Sequence, residues 1–444
     1  MQFITSCDIM KRLRVVWIII MLMQSYIMFS QRVVNDFMKK EQSVWRSSFM
    51  KQSYKRAKRE IRKKSTDTRM IDEAVAALYN LRRAAYTNNF YYGSHNYWSQ
   101  IEEQTGKKVL LHFLDINEVV GTYQLPTFYK RNRVMRKKQI IELYQTYGTI
   151  TVFSWHIENP YTPLDWKDPK YGRAAYRFRY TYKEYPQEHR YVIHEILNNE
   201  GDSCGFVNNN NSTERIGYHN PRAWYDSMLS QLSSFLKELK TDDGKPIPVV
   251  IRPLHECEDD WQWWGRGSVS PSDFIEFYRY TEKTIKKLSG LHNLIFAWSP
   301  DRYWDNIGVE DEKDYMLRYP GDEYVDMIGF DDYSIGINTN MEAAKHETIR
   351  KIQLVTYEAE KREKACGLFE TGLFGGNKNP DAFYDILYEI MKTDGCRFGF
   401  VNIWGNYTVP STEYGKARWI NFINQPSVWT FDNGRDLTKF KQDD

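Results

Sequence analysis

Cysteine is scarce, with five residues in a chain of 444. Cys7 precedes an apolar run and is not placed as a lipid-acceptor cysteine. Cys204, Cys257, Cys366 and Cys396 show neither CxxC spacing nor a zinc-ligand pattern. They fit buried free thiols, with one disulfide as the other reading. Net charge is also small, at +3, which argues against nucleic acid as the principal ligand. No G-x-G-x-x-G or P-loop follows an early strand pattern, so a doubly wound nucleotide-binding sheet has no local support. In "HECED" Asp259 stands where a zinc protease of the H-E-x-x-H type needs its second histidine. A metal set of His255, Glu256, Asp259 and Asp260 is disfavoured too, because neighbours at a strand end point in different directions. No nucleophile-elbow serine is expected.

Aromatics are abundant, at 16%, including 14 Trp and 32 Tyr. Flat aromatic faces suit sugars and bases alike. The 41% hydrophobic content is enough for a large core. Positive charge gathers in "KQSYKRAKREIRKK" (Lys51–Lys64), which reads as a solvated leader or helical arm, or as a contact for a polyanion or membrane surface. Before it, Lys11, Arg12 and Arg14 precede an apolar run from Val15 to Met23, with a cleavage position after Ser30. This is the pattern of a secretory signal, starting at Met1 or Met10, with an uncleaved anchor as the alternative. The expected organisation is a signal over 1–30, a basic leader over 31–65, a catalytic domain over 66–436 and a tail over 437–444.

Eight short β-branched or aromatic runs follow: Asn89–Gly93, Lys107–Asp115, Gly148–His156, Pro248–Glu256, Asn293–Asp301, Tyr324–Tyr333, Lys364–Gly372 and Arg397–Gly405. Helical periodicity lies between several of them. Trp224, Met228, Leu229, Leu232, Phe235, Leu236 and Leu239 share one face; Phe274, Phe277, Tyr278, Thr281, Ile285 and Leu288 share another. A third pattern joins Phe383, Ile386, Leu387 and Ile390, and Pro271 and Pro380 stand at helix starts, where a missing N–H costs nothing. Strands apolar on both faces, each followed by a helix, predict an α/β (β/α)8 TIM barrel; an open sheet is the competing arrangement. Tyr161–Asn220 is read as a large polar loop shaping the mouth.

Nearly every run ends in reactive residues: Asp115; Trp155, His156 and Glu158; His255 and Glu256; Ser299 and Asp301; Asp331, Asp332 and Tyr333; Glu370; Trp404. A barrel gathers these ends on its C-terminal face. Glu256 and Glu370, ending strands four and seven, would then face each other, and carboxyl groups about 5–5.5 Å apart suit a retaining glycosidase. Trp261, Trp263 and Trp264 would make the surroundings of Glu256 apolar and favour its protonated form. Arg252 and Tyr333 are placed to hydrogen-bond Glu370. On position alone, each glutamate is also a candidate salt-bridge partner or helix cap, and the tryptophans a candidate core cluster.

"RPLHE", "WQWWG", "FAWSPD", "VDMIGFDDYS" and "FETG", with "SWHIENP" and "YYGSHN" upstream, resemble glycoside hydrolase family 26 from roughly Met70 to Asp432. The resemblance implies a retaining barrel enzyme that needs no cofactor or metal. Its substrate would be a β-mannan polysaccharide or oligosaccharide, with neither nucleic acid nor a protein partner implied. It implies Glu256 as acid/base and Glu370 as nucleophile. It further implies His95, Trp155, His156, His255, Trp261, Asp331, Tyr333 and Trp404 as substrate-binding residues. A β-1,3-xylanase, a mixed-linkage β-glucanase and a non-catalytic glycan binder are the other readings. Two departures stand out. Cys257, Glu258 and Asp259 replace the family's usual residues after the acid/base, and their negative charge, if uncompensated, would raise the pKa of Glu256. Ser94 interrupts the usual glycine–histidine pair before His95.

Overall fold

The structure, a computed structural model, describes residues 39–96, 98–120, 126–162, 191–208, 215–258, 260–301, 315–337, 340–373, 381–405, 408–433 and 435–440. The expected signal, Asp259, Pro380 and the middle of Tyr161–Asn220 lie outside them. The chain divides into Met1–Lys51 and Gln52–Asp444. The described part of the first unit is a helix across 39–50. No helix among the described residues is long and apolar enough to cross a membrane.

The second unit is a closed parallel barrel. Its strands are β1 (Phe90–His95), β2 (Leu111–Asp115), β3 (Ile150–Ser154), β4 (Val249–Arg252), β5 (Leu294–Trp298), β6 (Met327–Asp331), β7 (Ala365–Thr371) and β8 (Phe400–Ile403). Seven fall within their runs; β1 starts in the run Asn89–Gly93 and continues two residues past it, to His95. Each pairs in parallel with the next, and β8 returns to β1 from Tyr91↔Phe400 to Ser94↔Ile403, closing the ring. A short strand, Val428–Trp429, adds to the start of β1.

Helices cover the ring as the periodicity requires. Pro221–Glu238 is capped by Asn220, whose side chain accepts from Ala223 N, and buries Trp224, Met228, Leu229, Leu232, Phe235 and Leu236. Pro271–Ser289 starts on Pro271 behind a Ser270 cap and ends at Gly290 in the left-handed conformation. Leu288 departs from expectation and is exposed, at the solvent edge of that helix's last turn. Tyr161–Asn220 is more than a loop. Its described parts include a helix, Val192–Asn198, and an antiparallel hairpin of Cys204–Asn208 with Arg215–Tyr218. Inside the barrel, Phe113, Phe369 and Phe400 pack edge-on or tilted. Gly367 makes room for this, since a Cβ there would meet the Phe400 ring at 2.2 Å.

The compact unit takes in part of the basic segment and part of the expected tail. Helix Tyr54–Lys64 carries Lys58 and Arg62, which both pair with Asp72. Asn80 donates to the carbonyls of Asp436, Leu437 and Lys439. At the base of the barrel, buried Asp326 accepts from Thr66 N (2.7 Å), Thr66 Oγ1 (2.9 Å) and Phe296 N (2.9 Å). One carboxylate therefore ties the approach segment to β5 and β6. Asp326→Ala should lose about 3 kcal/mol of stability, because it strands the buried Phe296 N–H and frees two half-buried donors of Thr66. Urea unfolding followed by fluorescence measures this, and a loss near zero would show that the tie is incidental.

Candidate active site

The strand ends meet around Arg252. The last residue of β4, it shares the register Ser154↔Arg252 with β3 and is fully buried. Nη1 donates to Ser299 Oγ (2.8 Å) and to both oxygens of Asp331 (2.9 and 2.7 Å). Nη2 donates to Ser154 Oγ (3.0 Å) and to Glu370 Oε1. Burial opposes the guanidinium charge, and Asp331 and Glu370 outweigh it, so the net shift strengthens the charged form. Tyr333 donates its hydroxyl to the other oxygen of Glu370 at 3.1 Å. Both partners expected for Glu370 are thus in contact with it. Asp331 and Glu370 are register neighbours on β6 and β7, beside an irregularity at Phe330/Asp331 that re-aims the side chains.

Glu256 reaches the same place by a different route. After Arg252 the chain leaves the sheet, and both Leu254 and Glu256 adopt φ of +54°. Non-glycine residues adopt this conformation only where the surroundings enforce it. Here Glu256 N donates to Ser299 O (3.0 Å), and Trp264 Nε1 donates to His255 O (2.8 Å). One oxygen each from Glu256, Asp331 and Glu370 lie within 4.8 Å of one another. Geometrically this trio could hold a cation, but Arg252 already occupies Asp331 and Glu370 from within.

Burial, then Asp331, Glu370 and Asp301, push the Glu256 carboxyl well above the ordinary glutamate range, while Arg252 pulls it down. Burial and Glu370 push Asp331 upward as well, against Arg252. Of the three acids, Glu256 is the one with no cation contact among the described residues, so its surroundings favour its neutral form. The charge following Glu256 is compensated where it is described. Buried Glu258 pairs with Arg266 (3.1 Å) and Arg318 (3.0 Å). The raised pKa therefore comes from burial and the facing carboxylates, not from Glu258.

The aromatic and histidine residues form a wall beside the acids. Asp115 accepts from His156 Nδ1, and His156 Nε2 meets His255 Nε2 at 3.2 Å. Burial, followed by Arg252, His156 and His95, holds His255 well below the usual histidine range and therefore neutral. His156 also lies near half-buried Trp261 (6.3 Å between centroids) and Trp404 (5.9 Å). His95 stacks on Trp404 at 3.7 Å, covering one face of the indole. Trp155 has another place. It packs in the core against Tyr225, and its Nε1 donates to Asn117. Trp263 is core as well and donates to Ile157 O. Asp332 caps a turn, accepting from Ser334 N and Thr348 Oγ1.

Sequence reasoning passed over Ser154 and Ser299 as supports for Arg252, and Gln262 beside Glu256. The signal for Ser154 was its cross-strand position. Gly201–Gly205 does spell G-x-S-x-G, contrary to expectation. However, Ser203 is exposed and leads into the antiparallel hairpin, not a strand–turn–helix elbow. Among the described residues the four cysteines, Cys204, Cys257, Cys366 and Cys396, are buried and form no disulfide.

The family described as Glycosyl hydrolase family 26 matches residues 208–386, which carry both glutamates and the tryptophan loop. Over that stretch the chain is similar to this family. A mannan endo-1,4-beta-mannosidase of Bifidobacterium adolescentis is 29% identical over 192 residues, 41% of this chain and 19% of that protein. One of Bacillus subtilis is 33% identical over 115 residues, 24% of this chain and 28% of that protein. The chain thus spans less than a third of the length of either relative. The GH26C structure from a Muricauda species superposes with a TM-score of 0.71 at 23% identity, covering 87% of this chain and 98% of that one, a likeness of fold.

In this barrel the raised pKa of Glu256 has a consequence for stability. Below the unfolded glutamate pKa of about 4.3 both states are protonated; above it the unfolded chain releases a proton that the folded one keeps, so stability falls as pH rises toward the folded pKa. Glu256→Gln should therefore be more stable than the parent at pH 7, with the gain vanishing below about pH 4. Thermal melts across that range check it; a destabilised variant at neutral pH would contradict the assigned protonation.

Proposed function

We propose that the chain is a retaining glycoside hydrolase that cleaves β-1,4-mannosidic linkages in mannan-type polysaccharides. The observation that carries this reading is the approach of Glu256 and Glu370, with oxygens within 4.8 Å, in unlike surroundings. Retaining pairs stand about 5–5.5 Å apart, whereas inverting pairs need about 6.5–9.5 Å to admit a water. Glu370, aligned by Arg252 and Tyr333, attacks the anomeric carbon. The bond to the glycosidic oxygen breaks as Glu256 gives that oxygen its proton. Glu256, now a carboxylate, takes a proton from water. The resulting hydroxide equivalent displaces Glu370 from the anomeric carbon and restores both groups. Trp261 and Trp404 offer apolar faces for the sugar rings, with His156 between them as a polar contact. The choice of mannan over other β-glycans rests on the relatives' names.

Glu370→Gln should lower turnover of mannan by at least about a thousandfold while oligosaccharide binding persists, as expected when the attacking group is removed. Proton NMR of early products should show the β-anomer first; an initial α-anomer would overturn the double displacement. A panel of mannan, β-1,3-xylan and mixed-linkage β-glucan tests the substrate, and preference for either of the latter two would overturn the mannan assignment.

We also propose export through the N-terminal segment, supported by the basic residues before the Val15–Met23 run. Sequencing the mature N-terminus tests it; an intact start retained in the cell fraction would reject it.

A further inference from the structure

Gln262 sits in "WQWWG", between Trp261 and Trp263. It is fully buried, and its Nε2 donates to Glu256 Oε2 at 3.2 Å. Its Oε1 has no partner among the described residues, so this bond is the side chain's one described polar contact. The loop that carries it is pinned on both sides. Trp263 and Trp264 donate to the carbonyls of Ile157 and His255, Gly265 N returns to Gln262 O (3.0 Å), and Asp260 Oδ1 accepts from Gly267 N. A polar side chain held this firmly against one carboxyl has a defined task.

The groups facing Glu256 are unfavourable to its charge: Asp331 on β6, Glu370 on β7 and Asp301 after β5, against Arg252 on β4. Tyr333, after β6, spends its hydroxyl on Glu370. Glu256 must nevertheless become a carboxylate in the second half of the reaction. Resting on the reading above, we propose that Gln262 is a positioning residue that stabilises the ionised form of Glu256, making it an effective base when the glycosyl-enzyme is hydrolysed. An amide donor favours the charged acceptor and fixes which oxygen faces the incoming water.

The test separates the two half-reactions. Gln262→Met keeps the volume and removes the donor. A dinitrophenyl β-mannobioside needs no acid for its first step, so kcat/KM on it should stay within about twofold of the parent, while kcat, limited by deglycosylation, should fall roughly tenfold. On mannotetraose the alkaline limb of kcat/KM should move up by about one pH unit, a tenfold change in the protonation equilibrium. Gln262→Glu, of nearly the same shape but without the amide, should move the limb in the same direction and covers the case in which the methionine variant folds poorly. A limb that stays in place, or kcat and kcat/KM on the aryl substrate falling in proportion, would overturn the proposal, because a merely structural residue acts that way. Glu256→Ala with azide isolates the underlying reading: formation of the β-glycosyl azide supports Glu256 as acid/base. Failure of azide to rescue would reject that role whatever the Gln262 variants do.

Discussion

A single buried guanidinium organises the mouth of this barrel. Arg252, fully buried, faces two carboxylates and two serine hydroxyls from four other strands or strand ends. In a low-dielectric site such a network is strong only when every member is satisfied. Arg252 holds Glu370 and Asp331 apart from Glu256 in chemical character while keeping all three close. Two acids lean on the cation; the third is left to carry a proton. The difference in surroundings among the three carboxyls thus follows from which of them the guanidinium reaches. It also lies over the Phe369 ring at 5.3 Å, so the aromatic packing of the barrel interior continues directly beneath the site.

The tryptophan loop performs the complementary task. Glu256 is not on a strand, and two left-handed residues are needed to bring it over the mouth. Their conformational cost is of the order of 1–3 kcal/mol each, and it is offset by contacts that sequence-distant groups provide. The backbone bond to Ser299 and the indole bonds of Trp263 and Trp264 lock the turn. Ser299 serves twice, its carbonyl fixing Glu256 and its hydroxyl fixing Arg252, so the carboxyl and the cation are referenced to the same residue just after β5.

Much of this was legible in the chain itself. The strands are buried on both faces, so they read as apolar runs, and the polar residues begin where the runs stop. That boundary exposed Glu256, Asp331, Tyr333 and Glu370 without coordinates. Trp155 misled because an aromatic at a strand end has two directions available, and nothing local says that Tyr225 waits on the core side. Gln262 was invisible because an isolated glutamine carries no chemical signature; only folding sets it against a carboxyl. The balance of charge after Glu256 was equally hidden, since Arg318 lies sixty residues beyond Glu258. The hairpin in the connection after β3 escaped notice because its short polar strands lack an apolar run.

The two ends of the compact unit meet. The Tyr54 and Phe440 rings touch edge-on at 4.0 Å, and Tyr79 of helix Asp72–Tyr86 packs against the same phenylalanine. A fold whose entry and exit lie side by side imposes little separation on whatever precedes or follows it. This unit, from Tyr54 to Phe440, could be joined head to tail by a brief linker and reopened in a surface connection between a helix and the next strand. It could equally be spliced as a cassette into a loop of another protein, with neither strand order nor the Arg252 network disturbed.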